Sequence, residues 1–99
     1  MYGQMHQKKN LMMKKFKLYL IENISSTLTS LSLPNVDFNL TQPKKKEFGD
    51  LSSNLPLIIG STQKTNPFDI GILISENLKE KKLKYIFDIN ITAPGFLNF

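Results

Sequence analysis

The chain has 99 residues, 40% of them hydrophobic, which is enough apolar surface for one modest core and excludes a disordered polymer. All 13 basic residues are lysine against 8 acidic residues, so the net charge of +5 favours a polyanionic partner. The absence of cysteine excludes disulfide bonds and thiolate chemistry, and a single histidine, His6, argues against a metal site.

The first predicted element is an amphipathic helix that follows a polar tail. Residues 1–12 lack apolar periodicity, and we expect them to form a flexible tail. From Met13 to Leu31, apolar residues recur every three or four positions, which predicts a helix that ends before Pro34. Residues 13–99 are then the folded domain.

A strand is predicted next. Val36, Phe38 and Leu40 alternate with polar residues, which is the pattern of a strand with one buried face. Pro43 ends the pattern and precedes a basic run. The run is a candidate for attraction of nucleic-acid phosphate, with a solvated loop as the alternative, and consists of Lys44, Lys45 and Lys46.

A second helix is predicted after Phe48-Gly49-Asp50. Gly49 gives the backbone freedom to turn, and Asp50 can cap the helix by accepting hydrogen bonds from its first free N–H groups. Because Asp50 has no neighbouring histidine or second acid, capping is preferred over catalysis. The predicted buried stripe consists of Leu51, Leu55, Ile58 and Ile59.

A third helix is predicted to begin at Asn66-Pro67. Asn66 can cap the helix, and proline suits the first helical position because its missing N–H would have no partner there. The predicted buried face of this helix consists of Ile70, Leu73, Ile74 and Leu78.

The carboxyl end predicts a β-hairpin. From Tyr85 to Thr92, apolar and polar residues alternate, which is the strongest strand pattern in the chain. Pro94-Gly95 is expected to turn the chain into a final strand.

The final strand is expected to have two different faces. Phe96 and Asn98 share one face, whereas Leu97 and Phe99 share the other. An aromatic ring beside a carboxamide can stack on a base and hydrogen-bond its edge. The alternatives are burial of Phe96 in the core and hydration of Asn98 at a sheet edge.

These elements predict an α+β fold. The predicted order is helix, strand, a short extended piece, two helices and two strands. Alternating strands imply that one sheet face is covered and the other is open. We therefore expect a two-layer sandwich, in which a mainly antiparallel four-stranded sheet is covered on one face by about three helices.

Four landmarks together resemble the N-terminal additional domain of arginyl-tRNA synthetase, a class I aminoacyl-tRNA synthetase. The resemblance covers about residues 13–99, with the landmarks in matching order and spacing. The landmarks are Pro43-Lys44, Phe48-Gly49-Asp50 with Ser52, Ser53 and Asn54, the helix start Asn66-Pro67, and the segment from Pro94 to Phe99.

The resemblance implies a tRNA-binding domain that contacts the D loop and elbow of tRNA(Arg) and supports arginyl-tRNA aminoacylation in translation. It implies that Phe96 stacks on a base and that Asn98 makes a polar contact to a base or to the backbone. The alternative function is a non-catalytic protein-interaction domain that docks on a synthetase catalytic region.

The resemblance also implies what this chain lacks. Neither the His-Ile-Gly-His type signature nor the Lys-Met-Ser-Lys type loop of class I synthetases occurs, so no catalytic residue, cofactor or metal is expected here. ATP and arginine are expected to bind the missing catalytic domain of the parent enzyme.

The expected partners are tRNA(Arg) and the missing catalytic domain, and neither DNA nor a membrane is expected. No segment approaches the roughly 18 consecutive apolar residues of a membrane-spanning helix. We therefore expect a cytoplasmic location, with an organelle matrix as the alternative.

Overall fold

A computed structural model describes residues 2–43, 45, 49–84, 86 and 88–99, with the backbone alone for residues 2–10. None of the helices in these residues is long and apolar enough to cross a membrane. In chain order the elements are α1 (Tyr2–Ser30), β1 (Ser52–Ser53), α2 (Leu55–Gln63), α3 (Pro67–Glu80), β2 (Asn90–Thr92) and β3 (Phe96–Asn98).

The three strands form an antiparallel sheet in the order β1-β3-β2, so the last strand of the chain is the central one. Directly opposed residues in an antiparallel pair point to the same side of the sheet. The inner face carries Ser53, Ile91 and Leu97. The outer face carries Ser52, Asn90, Thr92, Phe96 and Asn98, together with Thr41, which forms an isolated bridge to Ser52.

Helices α2 and α3 cover the inner face at close range. Gly71 of α3 lies against β2, since a Cβ atom there would be 3.0 Å from Cδ1 of Ile91. Gly95, just before β3, lies against the start of α3, where a Cβ atom would be 2.7 Å from Cβ of Pro67. A side chain at residue 95 would overlap Pro67, and one at residue 71 would require Ile91 to shift, so the helices and the sheet approach closely at both glycines.

Helix α1 packs on α3. Thr27 Oγ1 donates a hydrogen bond of 3.0 Å to Asn77 Oδ1, and Lys81 Nζ donates one of 3.1 Å to the carbonyl oxygen of Asn23. The three helices and the sheet share one core. Its buried apolar residues are Leu20, Ile24, Leu28, Leu40, Leu51, Leu55, Ile59, Ile70, Ile74, Leu78, Ile89, Leu97 and Phe99.

The predicted four-stranded sheet is wrong, because the described residues form three strands; the broader α+β class agrees with the structure. The missing strand is the segment from Val36 to Leu40, which buries alternate side chains as expected but joins the sheet only at Thr41. Alternation of apolar and polar residues indicates which side chains face the core. A strand also needs a neighbouring segment whose backbone hydrogen-bonds to its own. β1 is only two residues long and offers no such partner to this segment.

The second helix begins later than predicted. Leu51 instead directly precedes β1, where its backbone exchanges hydrogen bonds with that of Phe99. Asp50 does not cap the helix, because the N-cap position is Asn54, four residues later. The first helical N–H, that of Leu55, instead donates to Oγ of Ser53 at 3.1 Å.

The third helix begins as predicted. Asn66 Oδ1 accepts a hydrogen bond of 2.9 Å from the N–H of Phe68, and Pro67 lies in the first turn. Its buried face is confirmed at Ile70, Ile74 and Leu78, but Leu73 is 49% exposed. Leu73 is therefore wrongly placed in the predicted core.

The first helix begins at Tyr2 rather than at Met13. Residues 2–12 are rich in methionine, glutamine and lysine, which have good helix propensity even without an apolar stripe. The boundary of the folded domain at residue 13 stays a prediction. Tyr85 and Phe87, in the first half of the predicted hairpin, lie outside the described residues.

Candidate nucleic-acid interface

The outer face of the sheet is the candidate interface. It carries hydroxyl groups, carboxamides and one aromatic ring, and none of its six side chains is charged. By contrast, the inner face is buried under α2 and α3. The structure therefore brings Phe96 and Asn98 together on the side of the sheet opposite these helices, and their predicted sharing of one face is confirmed.

Phe96 begins β3 directly after the turn from Ala93 to Gly95, and its side chain is half-buried. The turn contains a cis peptide bond between Ala93 and Pro94. Because Gly95 lies against Pro67, the turn is fixed to the start of α3, and this contact sets where the ring emerges. Its Cα partner on β2 is Thr92.

Asn98 occupies the centre of the outer face, between Ser52 and Asn90. Its side chain is only 5% exposed, which the sequence did not predict. Nδ2 donates a hydrogen bond of 3.0 Å to Oγ1 of Thr92. A base or phosphate that contacts Asn98 must therefore reach into a recess between its neighbours.

The end of β3 is held by the backbone around Gly49. The oxygen of Phe99 accepts hydrogen bonds from the N–H groups of Asp50 and Leu51, at 2.7 and 3.3 Å. Gly49 has φ of +88°, and a Cβ atom there would overlap the oxygen of Phe99. Two landmarks that are far apart in the sequence thus meet in space and fix the register of β3.

Asn90 forms the β2 side of the interface. Its side chain is exposed, and Nδ2 donates a hydrogen bond of 2.8 Å to Oδ2 of Asp88. Asp88 is itself exposed and brings a negative charge to this side.

Of the predicted lysine run, the structure describes Lys45, which follows the bridge between Thr41 and Ser52 of β1 in the chain. Thr41 is hydrogen-bonded to Ser52 in both directions, at 2.9 and 2.7 Å. Lys45 follows four residues later and is exposed, so its Cα lies within about 14 Å of that of Thr41. Lys44 and Lys46 lie outside the described residues.

Sequence reasoning missed Ser52 and Thr92 as interface residues. The signal for Thr92 was present, because the alternation that ends at Thr92 assigns it to the polar face together with Asn90. No comparable signal existed for Ser52, since it pairs with Asn98 only through a contact between distant parts of the chain.

No group of three histidine, cysteine, aspartate or glutamate side chains among the described residues could hold a metal ion. A surface cavity of about 230 Å³ lies between the end of α3 and the segment that precedes β2, with Lys79, Lys82 and Asp88 in its lining. The cavity therefore carries two positive side chains and one negative side chain.

Comparison with known proteins identifies relatives for most of the chain. Residues 18–99 match the family described as "Arginyl tRNA synthetase N terminal domain". The chain is similar to an arginine–tRNA ligase of Thermotoga petrophila, with 37% identity over 79 residues, covering 79% of this chain and 14% of the relative.

Two further relatives are also arginine–tRNA ligases. The one from Mycoplasmoides gallisepticum is 35% identical over 77 residues, covering 77% of this chain and 14% of the relative. The one from Staphylococcus aureus is 31% identical over 85 residues, covering 84% of this chain and 15% of the relative. The chain therefore spans about one seventh of the length of the curated relatives that it matches.

Proposed function

Because this chain belongs to the family of arginyl-tRNA synthetase N-terminal domains, we propose that it is the tRNA-binding additional domain of an arginine–tRNA ligase. In this proposal the outer face contacts the D loop and elbow of tRNA(Arg) and supports arginyl-tRNA aminoacylation in translation. ATP and arginine bind the catalytic domain of the parent enzyme. The proposal also keeps the expected cytoplasmic location, which immunodetection in cell fractions tests.

One observation carries the proposal: Phe96 and Asn98 lie two residues apart on the open side of a short sheet, surrounded by hydroxyl and carboxamide groups. A ring in this setting can stack on an unpaired base, while the amide can hydrogen-bond a base edge. The net charge of +5 attracts the phosphate backbone without adding sequence preference.

The direct test is binding of tRNA(Arg) by the wild type, Phe96→Ala and Asn98→Ala. Loss of a base–aromatic stack or of a bidentate base contact costs about 1–3 kcal/mol, so each variant should bind about 5- to 150-fold more weakly. Matched controls are Phe68→Ala and Asn54→Ala, which remove exposed side chains away from the outer face. Equal affinity of all five proteins would refute the proposed interface.

Salt dependence separates backbone contacts from base contacts. If Lys44, Lys45 and Lys46 contact phosphates, replacing all three with alanine should make the slope of log K against log salt shallower by up to about 3. The ratio of affinities between wild type and Phe96→Ala should stay constant, because stacking releases no counterions.

A second candidate function is docking on the synthetase catalytic region. Leu11 and Leu18 favour it, because they are 54% and 53% exposed and lie seven residues apart on one side of α1. Co-expression with a separate arginine–tRNA ligase catalytic domain distinguishes the two functions. If Leu11→Ser/Leu18→Ser abolishes co-purification while tRNA binding by Phe96→Ala is unchanged, docking is the better account.

A further inference from the structure

We propose that the cavity between the end of α3 and the segment preceding β2 binds backbone phosphate of tRNA, as a second contact beside the outer face. This inference rests on the proposed function, since it extends the same interface to residues that the base-contacting role does not use. The argument comes from the position of the cavity, the charges in its lining and its connection to the outer face.

The cavity has two lysines at its rim and an apolar floor. Lys79 lies in the last turn of α3, and Lys82 lies three residues later; both are exposed. The floor includes Leu78 and Ile89, which are 0% and 4% exposed and belong to the core. The ammonium groups are therefore carried on a rigid support and remain accessible to an anion in solution.

The sequence around the rim adds further positive charge. Lys84 is exposed, whereas Lys81 is engaged through its donation to the carbonyl oxygen of Asn23. One acidic residue, Glu80, lies in the same stretch. The net charge from residue 79 to 84 is thus positive, which favours a polyanion over an acidic side chain of this chain as the ligand.

A short hydrogen-bonded path connects the cavity to the outer face. Asp88 lines the cavity, and its Oδ2 accepts a hydrogen bond of 2.8 Å from Asn90, which lies on the outer face. The cavity is therefore next to the β2 side of the interface. Lys45 lies near the other side, beyond Thr41.

Lysines thus occur near both outer segments of the polar sheet: Lys45 follows Thr41 by four residues, and Lys79 and Lys82 share a cavity with Asp88, which is bonded to Asn90 of β2. From the Thr41 bridge to β2 the sheet spans three strand spacings, about 14 Å. A single-stranded RNA loop that crosses this width can place a base at Phe96 and its backbone phosphates at the two margins. An RNA strand is long enough to contact the lysines on both sides of the sheet at once, whereas a small anion would contact those on one side only.

Asp88 allows a test of the proposed phosphate site, because its charge is opposite to that of the two lysines. Its carboxylate lies in the same cavity as the two lysines and would repel a phosphate bound there. Replacing Asp88 should therefore strengthen binding, while replacing Lys79 and Lys82 should weaken it. A purely structural role of these residues does not predict opposite signs.

The experiment measures binding of tRNA(Arg) by this chain at four salt concentrations. Lys79→Ala/Lys82→Ala should make the slope of log K against log salt shallower by about 2, and Asp88→Asn should raise affinity at low salt. The matched control is Lys14→Ala/Lys15→Ala, which removes the same charge from exposed positions of α1, the helix that packs on α3. The control should change the slope by less than about half as much.

The outcomes separate this inference from the proposed function. Equal slopes for the two double variants, or unchanged affinity of Asp88→Asn, overturn the phosphate site while leaving the Phe96 test intact. Wild type that fails to bind tRNA overturns both. Titration with inorganic phosphate is a further arm: saturable binding that requires Lys79 and Lys82, without any effect of the variants on tRNA, assigns the cavity to a free anion and also overturns the inference.

Discussion

The two faces of the sheet are built from alternate residues of the same three strands, yet they differ in polarity and in what covers them. On the inner face, Leu97 is fully buried and Ser53 is 2% exposed. On the outer face, Asn90 is exposed and Phe96 is half-buried. The side of the sheet to which a residue points, rather than its distance along the chain, separates core residues from residues of the candidate interface.

This separation depends on the register of β3. A slip by one residue would move Leu97 to the outer face and Phe96 into the core. The hydrogen bonds between Phe99 and the backbone of Asp50 and Leu51 oppose such a slip. Mutations on each face, and at the backbone around Gly49 that holds the end of β3, test the difference between the two faces most directly.

The largest effect is expected at the centre of the inner face. Leu97→Ala should lower the free energy of unfolding by about 2–5 kcal/mol, because it leaves a cavity in a fully buried site. Urea denaturation measures this. Leu73→Ala is the matched control, with an expected loss of less than about 1 kcal/mol, since Leu73 is 49% exposed on α3. Equal losses would contradict the assignment of the inner face.

The next largest effect is expected at Gly49, whose backbone contact with Phe99 fixes the register of β3. Gly49→Ala should destabilise the fold by about 2 kcal/mol, because alanine disfavours a φ of +88° and its Cβ would overlap the oxygen of Phe99. Thermal and urea unfolding measure the loss.

A control of opposite sign is available in α2. Lys64 ends this helix with φ of +54°, so Lys64→Gly relieves the strain of a left-handed residue and should stabilise by up to about 1 kcal/mol. A stable Gly49→Ala variant would mean that the backbone at residue 49 does not fix β3.

A smaller effect is expected at the helix that covers the inner face. Asn66→Ala removes the side-chain acceptor for the N–H of Phe68 and should cost about 1 kcal/mol. Asn54 occupies the same position before α2 but makes no side-chain capping bond, so Asn54→Ala should cost less than half as much. Circular dichroism during urea unfolding compares the two; a reversed order would refute the capping assignment.

The smallest effect is expected on the outer face. Asn90→Ala should change the free energy of unfolding by no more than about 0.5 kcal/mol, since the residue is exposed. Its neighbour Ile91 packs on α3 at Gly71, so Ile91→Ala should cost at least about 1 kcal/mol. Two adjacent residues then give different losses, and similar values would argue against two distinct faces.

Sequence patterns correctly predicted those features of the fold that depend on interactions between residues close together in the chain. The start of α3 was predictable because Asn66 and Pro67 act within one helical turn. The sharing of one face by Phe96 and Asn98 follows from the alternation of a strand, which any two residues at that spacing obey.

The predictions were wrong where a residue's structure depends on a partner far away in the sequence. The segment from Val36 to Leu40 has strand periodicity but joins the sheet only at Thr41, because β1 is too short to pair with it. Leu51 matches a helical stripe, yet its backbone pairs with that of Phe99 directly before β1. The burial of Asn98 likewise depends on neighbours from two other strands and on its bond to Thr92.

The sequence by itself determined the positive charge, the three helices and the polar and apolar sides of the last strand, because these depend on composition and on neighbours within a few residues. Tertiary structure alone decided that this strand is central, that Ser52 and Thr92 lie beside Asn98, and that Lys79 and Lys82 share a cavity with Asp88. Such juxtapositions arise only when packing of the whole chain brings distant segments together, and no local pattern encodes the distance between them.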